Sequence, residues 1–244
     1  MSSKGSYILD HKLKVKSEDL IYHVHEYDAD LESNHIYLFG REEYKVGAES
    51  EEDTGEPGIE YTIANRFIRN LNLCMRANPD KPILVHMKTC GGDWAEGMAI
   101  YNAIKSCPNP VTILNYTHAR SMSSLIFLAA NKRVMMPDSK FMFHQGTMGF
   151  SGTTKQFLNE AGELLKTDIR MVEIYVDALK EQGKYKKWSK KRIEEKVRAL
   201  MDKKEEVYLT EREALDWGFA DLVFGDEGYN WKNLIDYTDE QLER

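Results

Sequence analysis

Short apolar runs alternate with helical patterns from about residue 35 to residue 224. Apolar segments of strand length occur at 35–40, 83–87, 111–114, 133–136, 141–143 and 222–224. Between them, apolar side chains recur with helical spacing over 61–77, 95–104 and 121–130. Because strands and helices take turns along the chain, the pattern predicts an α/β fold with largely parallel strands.

One helical pattern is much longer than the others. It runs from Lys155 to Leu179, which is about 25 residues or roughly 37 Å at the rise of an α-helix. A helix of this length extends beyond a domain of this size. Its apolar stripe is therefore expected to pack against something outside its own core.

The remaining segments carry weaker patterns. The first thirty or so residues are polar, the acid- and glycine-rich stretch 42–57 predicts a surface loop, and the polar tail 225–244 is expected to be peripheral. The basic stretch 184–192 leads into a further helix. A capping-box spacing at 210–213 opens a short helix that Gly218 closes.

Composition narrows the function classes. The 244 residues carry a net charge of −7, which argues against a nucleic-acid partner. No run of about 18 apolar residues occurs, so we expect no membrane span. The three cysteines, Cys74, Cys90 and Cys107, are widely spaced and form no CxxC, which favours reduced thiols in a cytoplasmic compartment. The first residues lack the apolar core of a secretory signal.

Ser121 is the first candidate for chemistry. It follows a predicted strand and opens an apolar helix, so its hydroxyl lies at the positive end of that helix. The amide of Met122 belongs to the first turn and has no intrahelical partner, so it is placed to meet an oxyanion. The same position also suits an ordinary helix-capping serine.

His144 and a glycine pair supply two further candidates. His144 ends a predicted strand, and strand ends and helix starts share one edge of a parallel sheet, so it can meet Ser121. Gly91-Gly92 lie between a strand and a helix, where the amide of Gly92 suits a second oxyanion donor. A lone histidine or glycine turn is equally typical of structural roles. No phosphate-loop motif occurs, and we expect neither a cofactor nor a metal site.

Four sequence blocks, in order, resemble the Clp protease proteolytic subunit (ClpP) family, a family of serine peptidases. They are Thr-Cys-Gly-Gly-Asp-Trp-Ala-Glu-Gly-Met-Ala-Ile-Tyr at 89–101, Arg-Ser-Met-Ser-Ser-Leu-Ile-Phe-Leu-Ala-Ala at 120–130, Lys-Arg-Val-Met-Met-Pro-Asp-Ser-Lys-Phe-Met-Phe-His-Gln at 132–145 and Tyr-Leu-Thr-Glu-Arg-Glu-Ala-Leu-Asp-Trp-Gly-Phe-Ala-Asp at 208–221. Any one block is weak evidence, but four at compatible spacings are specific.

The resemblance implies a ClpP/crotonase-like spiral of ββα units. It implies Ser121 as nucleophile, His144 as general base, and Gly92 and Met122 as oxyanion-hole amides. It also implies homo-oligomers of heptameric rings stacked as a tetradecamer, which degrade unfolded polypeptides, with a hexameric AAA+ ATPase as partner. The corresponding organisation is an axial or peripheral N-terminal segment over 1–34, a peptidase domain over 35–224 with a ring-docking handle helix over about 154–182, and a tail over 225–244.

The sequence departs from the family at the third triad member. Where the family has an aspartate before its closing strand, this chain has Glu206, with Asp202 as fallback and Glu205 as a weaker candidate. A carboxylate is needed there to fix the histidine tautomer. Glu206 is equally typical of a solvated surface charge.

Milder departures surround the site and the outer surface. Cys90 and Gly146 stand where the family usually has proline, and Arg120 replaces a small residue, which adds bulk and charge beside Ser121. Segments 42–57 and 184–192 resemble insertions, and the N-terminal residues match the family's axial segment poorly, which weakens the expectation of an ATPase partner.

Three functions remain open at this point. The first is an active serine endopeptidase, and the second is a catalytically weak or inactive ring subunit that acts as scaffold or regulator, suggested by Glu206 and Arg120. The third is a crotonase-type acyl-CoA enzyme, which shares the fold but has no use for a serine–histidine pair. Retention of both Ser121 and His144 favours the first.

Overall fold

A computed structural model describes residues 17–40, 58–147 and 149–244. The helices are α1 (Ser17–Tyr27), α2 (Tyr61–Ala77), α3 (Trp94–Lys105), α4 (Met122–Leu128), α5 (Thr154–Glu181), α6 (Lys190–Lys204), α7 (Glu211–Trp217) and α8 (Asp239–Leu242). The strands are β1 (Ala29–Asp30), β2 (His35–Phe39), β3 (Ile83–Thr89), β4 (Val111–Arg120), β5 (Lys132–Met135), β6 (Lys140–His144), β7 (Glu206–Thr210) and β8 (Leu222–Val223). The predicted 42–57 loop lies outside the described residues.

The strands form one mixed sheet in the order β1-β2-β3-β4-β5-β8, with β6 beside the far half of β4 and β7 beside β6. Pairings along β2-β3-β4-β5-β8 and between β4 and β6 are parallel, whereas β1–β2 and β6–β7 are antiparallel. The predicted α/β fold with largely parallel strands is confirmed. Within the described ranges, no helix has the length and apolar character needed to cross a membrane.

Strand β4 is six residues longer than the pattern predicted and positions the site. Its first half pairs with β5 through Thr112–Asn115, and its second half pairs with β6 through His118–Arg120. The extension was not predicted because the residues after Leu114 are mostly polar and give no hydrophobic pattern of a buried strand. Its effect is to bring the end of β4 beside the end of β6.

Helix α5 is the long predicted helix, capped by a Thr153–Gln156 capping box. Its C-terminal half is buried in the core from Met171 to Leu179. Before Met171 the helix is largely solvent-exposed and displays large apolar side chains, namely Phe157, Leu158, Leu165 and Ile169. The predicted overhang is therefore present.

The C-terminal tail is not peripheral, contrary to the sequence prediction. Tyr229 and Leu234 are buried against Leu84, Leu114 and Val134 on one face of the sheet. The hydroxyl of Tyr237 also hydrogen-bonds the Thr112 hydroxyl at 2.6 Å. Single apolar residues spaced through a polar tail give no periodic signal, although they suffice to anchor it.

Two further segments are tied to the domain by particular side chains. In the N-terminal segment, Asp28 lies 3.3 Å from Arg66 of α2, and β1 extends the sheet. In the basic stretch 184–192, Tyr185 packs against the rings of Trp188 and Trp217. The described end of the N-terminal segment and the 184–192 stretch thus both contact the packed domain.

Candidate active site

Ser121 occupies a strained turn between β4 and α4. Its backbone has φ +52° and ψ −130°, a region that residues other than glycine rarely adopt. Buried hydrogen bonds on both following serines hold the turn: Ser123 Oγ donates to the Thr89 carbonyl at 3.0 Å, and Ser124 Oγ pairs with the Tyr175 hydroxyl at 2.7 Å. The strain is therefore sustained by the surrounding core, as in the sharp strand-to-helix turns that expose a nucleophilic serine.

His144, the last residue of β6, lies against this serine. Its Nε2 atom is 2.9 Å from Ser121 Oγ, and both residues are half-buried. The β6 backbone reinforces the contact, because the Ser121 N–H donates to the Met142 carbonyl at 3.3 Å. A neutral imidazole at this distance can accept the serine proton as the hydroxyl attacks an electrophile.

Gly91 and Gly92 run directly alongside the Ser121 turn. Both have positive φ, +106° and +140°. A Cβ on Gly91 would lie 2.7 Å from Ser121 Cβ, and one on Gly92 would lie 2.2 Å from the Ile59 carbonyl oxygen. Only glycine fits at either position, because no side chain can share this space.

The two backbone amides predicted for an oxyanion hole belong to Gly92 and Met122, which line the same cavity as Ser121. Ile59 clamps the glycine turn, donating to the Gly91 carbonyl at 2.5 Å and accepting from the Asp93 N–H at 2.9 Å. Among the described residues, neither of these bonds uses the Gly92 N–H. Met122 is the first residue of α4, so its N–H has no partner within the helix. The two amides are the donors that the sequence predicted for an oxyanion hole.

Three carboxylates lie near the end of β6 at His144, and none of them bonds its ring among the described residues. Glu206 is its partner in the antiparallel β6–β7 pair, yet its exposed carboxylate accepts a hydrogen bond from the Tyr208 hydroxyl at 2.8 Å. Asp202 accepts from the Gln145 side chain at 3.4 Å, and Asp168 Oδ1 accepts from the Gly146 N–H at 3.3 Å. Within the described residues, the ring makes one hydrogen bond, the one to Ser121.

The surroundings keep His144 in its basic form. Burial lowers the pKa of the imidazole below its ordinary value, and the charge of Arg120 acts in the same direction. The carboxylates of Glu206 and Asp168 partly oppose this effect. The net pKa is below that of a free histidine, so the ring is neutral at pH 7 and able to accept a proton.

A cavity of about 430 Å³ opens beside Ser121 and His144. Its wall is largely apolar, built by Trp94, Met122, Leu125, Leu164 and Met171. Acidic residues that cap α3 or lie on α5 contribute to the same lining, namely Asp93, Glu160 and Glu163. A substrate side chain with an apolar body therefore has room next to the serine.

The fold and the site together define a mixed α/β protein with the serine–histidine arrangement of a hydrolase. Comparison with known proteins gives the family. The Clp protease family model matches residues 55–227, and the chain belongs to this family. It is also similar to the ATP-dependent Clp protease proteolytic subunit of Deinococcus radiodurans, with 29% identity over 167 residues, covering 68% of this chain and 76% of that protein. The predicted family membership and fold class are confirmed.

Several residues around the site were not predicted from the sequence. Ile59, which clamps the glycine turn, lies outside any recognisable motif. Gly97 makes room for Met122, since a Cβ there would lie 2.0 Å from Met122 Cγ. Asp168 approaches the site from α5, far along the chain. A helical periodicity argument would have placed Asp168 on the same face as Leu164 and Met171, which was the available signal.

Proposed function

We propose that this protein is a serine endopeptidase subunit, with Ser121 as nucleophile and His144 as general base. The observation that carries the proposal is the 2.9 Å contact between Ser121 Oγ and His144 Nε2, formed in a strained turn beside the Gly92 and Met122 amides. Family membership supports a peptidase over an acyl-CoA enzyme, which would have no role for the pair.

The reaction follows from this arrangement. Ser121 Oγ attacks the scissile carbonyl while His144 Nε2 takes its proton, and the Gly92 and Met122 amides stabilise the resulting oxyanion. The tetrahedral intermediate collapses to an acyl-enzyme as His144 donates the proton to the leaving amine. Water, activated by the same imidazole, then hydrolyses the ester and restores the serine.

The substrate and assembly are proposed from the family and from α5. Unfolded polypeptide is the substrate class, hydrolysed inside stacked heptameric rings and supplied by a hexameric AAA+ ATPase. The exposed apolar side chains on the N-terminal half of α5 support a ring–ring contact, because such a surface is unfavourable in water unless covered.

A cleavage assay distinguishes an active peptidase from an inactive ring subunit. Purified protein should cleave an unfolded polypeptide such as reduced casein and short fluorogenic peptides. A catalytically weak or inactive ring subunit, favoured by the absence of a carboxylate bonded to His144 among the described residues, would assemble without measurable cleavage. Rings that leave both substrates intact would refute the peptidase and support the scaffold.

Glu206 is the proposed triad acid. Glu206→Ala should lower kcat/KM for a peptide ester about ten- to a hundredfold, because the imidazolium formed in the transition state loses an anion that stabilises it. Loss of an anion also lowers the pKa of His144, so the acid limb of the pH–rate profile should move to lower pH.

The matched control is Asp202→Ala, which removes a neighbouring carboxylate bound to Gln145 rather than one paired with the His144 strand. It should leave kcat/KM within about twofold of the wild-type value, as for other surface substitutions. If Asp202→Ala loses its activity while Glu206→Ala retains wild-type kcat/KM, then Asp202 rather than Glu206 is the triad acid.

The ring–ring contact is tested on α5. Leu158 and Leu165 lie two turns apart on one face, 64% exposed each. The double change Leu158→Asp with Leu165→Asp should halve the native mass, because burying two carboxylates in an apolar contact costs several kcal/mol. Ile21→Asp, on exposed α1, is the control and should leave the mass unchanged. Unchanged mass in the double variant would exclude α5 as the docking helix.

A further inference from the structure

Asp168 contacts the chain immediately after the proposed base. It lies on α5 at the point where the helix passes from exposed to buried, three residues before Met171. Its Oδ1 atom accepts a hydrogen bond from the Gly146 N–H at 3.3 Å, two residues beyond His144. The carboxylate therefore holds the segment that leads away from the imidazole.

Few other contacts of this segment occur within the residues that the structure describes. His144 forms the last pair of the β6–β7 ladder, so the regular strand hydrogen bonds end there. After it, the Gln145 side chain reaches Asp202 at a long 3.4 Å. Leu164, one turn before Asp168 on α5, also lies against Gly146, since a Cβ on that glycine would be 3.6 Å from Leu164 Cδ1. Contacts with α5 are thus among the restraints on the described residues beyond the strand.

Asp168 differs from three other acids of α5 that pair with nearby cations. Glu163 pairs with Lys166, Glu173 with Arg170, and Asp177 with Lys190, each as a surface ion pair. The positions three and four residues from Asp168 are all apolar, namely Leu164, Leu165, Met171 and Val172. Within the described ranges, its carboxylate makes no ion pair and bonds a main-chain amide beside the site instead. Asp168 is therefore not part of the ion pairs described on the surface of this helix.

We propose that Asp168 is a positioning residue for His144, acting through its hydrogen bond to the Gly146 amide and through its negative charge toward the imidazole. The proposal rests on the proposed function, since it assigns Asp168 a part in orienting the base. The charged groups facing His144 are Glu206 from β7, Asp168 from α5 and Arg120 from β4. Two anions from different elements thus act on one imidazole.

Two substitutions separate the hydrogen bond from the charge. Asp168→Asn retains an oxygen that can accept from Gly146, whereas Asp168→Ala retains neither acceptor nor charge. Glu173→Gln removes an exposed charge from the same helix and is the control. The readout is the rate of Ser121 modification by a fluorophosphonate probe, measured from pH 5 to pH 9 together with native mass and melting temperature.

We expect Asp168→Asn to react about three- to tenfold more slowly at pH 7.5, because it loses one of the two anions that favour the imidazolium. Its acid limb should lie at lower pH than that of the wild type, because a neutral neighbour favours the imidazolium less. Asp168→Ala should react up to about a hundredfold more slowly, since displacement of the base by an ångström is enough for such a loss. Glu173→Gln should match the wild type, with native mass and melting temperature maintained in all three.

Wild-type rates and an unmoved acid limb in Asp168→Ala would overturn the inference. Equal losses in Asp168→Asn and Asp168→Ala without movement of the acid limb would overturn it too, because they would indicate a structural role alone. If the wild type does not react at any pH, the proposed function fails. The His144 C2–H NMR titration of wild type and Asp168→Asn then decides the inference: a lower pKa in the variant supports it, and an equal pKa contradicts it.

Discussion

Replacing Ser121 with alanine should lower peptide hydrolysis by about 10⁴-fold or more, because the nucleophile is lost while binding and the oxyanion amides remain. The fold should be unaffected. The Ser121 side chain has no hydrogen bond among the described residues except the one to His144, and the turn is held by Ser123, Ser124 and the Met142 carbonyl. The measurement is kcat/KM on a fluorogenic peptide at pH 8.

The control variants sharpen this result. Ser106→Ala removes an exposed serine at the end of α3, outside the cavity, and should retain full activity. His144→Ala should lose nearly as much activity as Ser121→Ala, and the double variant should be no worse than either, because the pair acts as one unit. Additive losses would show that the two residues act independently and would contradict the proposed mechanism.

Asp221→Ala should lower the free energy of unfolding by about 3–5 kcal/mol, which is the usual effect of leaving a buried charge without its partner. The Arg133 side chain is 1% exposed, and its Nε and Nη2 atoms each lie 3.2 Å from an Asp221 carboxylate oxygen. Arg244 donates to the same carboxylate at 2.7 Å. Removing the acid leaves a buried and a nearly buried guanidinium with only the half-exposed Glu181, 3.8 Å from each, as a carboxylate partner among the described residues.

The ion pairs of Asp221 with Arg133 and Arg244 should make the stability of the fold depend on pH. Burial opposes ionisation of Asp221, yet Arg133 and Arg244 together hold its pKa below the ordinary value. A lowered native pKa stabilises the fold above the unfolded-state pKa, and this stabilisation is lost as the pH falls through the native pKa. Wild type should therefore lose stability on acidification, and Asp221→Ala should lose less over the same range.

Urea denaturation at pH 7 measures the effect, with Asp216→Ala as the control. Asp216 also pairs with a cation, Lys184, but both side chains are substantially exposed. Such surface pairs contribute about 0–1 kcal/mol, so the control should unfold near the wild-type midpoint. Equal midpoints for Asp221→Ala and Asp216→Ala would show that the buried network contributes nothing to stability.

Periodic elements of the fold were predictable from the sequence, and irregular ones were not. Helix α2 was predicted at its observed limits, because Ile63, Phe67 and Leu71 recur one turn apart and prolines follow the helix. The extension of β4 was missed, since its polar side chains gave no strand signal. The anchored tail was missed because Tyr229 and Leu234 are isolated apolar residues within a polar stretch.

Some residues of the candidate site could likewise be predicted from the sequence, and others could not. Ser121, His144 and the glycine turn were predictable because each follows a strand and belongs to a recognisable sequence block. The groups that surround His144 were not, since their contacts join distant parts of the chain: Asp168 meets Gly146 across 22 residues, and Ile59 reaches Gly91 from the far side of α2. Such contacts depend on the tertiary fold rather than on local pattern.

The central claim is that Ser121 is an activated nucleophile, and covalent labelling tests it most directly. Wild-type protein is treated with a fluorophosphonate at pH 8, and its peptides are analysed by mass spectrometry. If Ser121 is the nucleophile, it should be the single phosphonylated residue, with labelling strongly reduced in His144→Ala. Absence of labelling in active, correctly assembled protein, or an adduct on another serine, would contradict it.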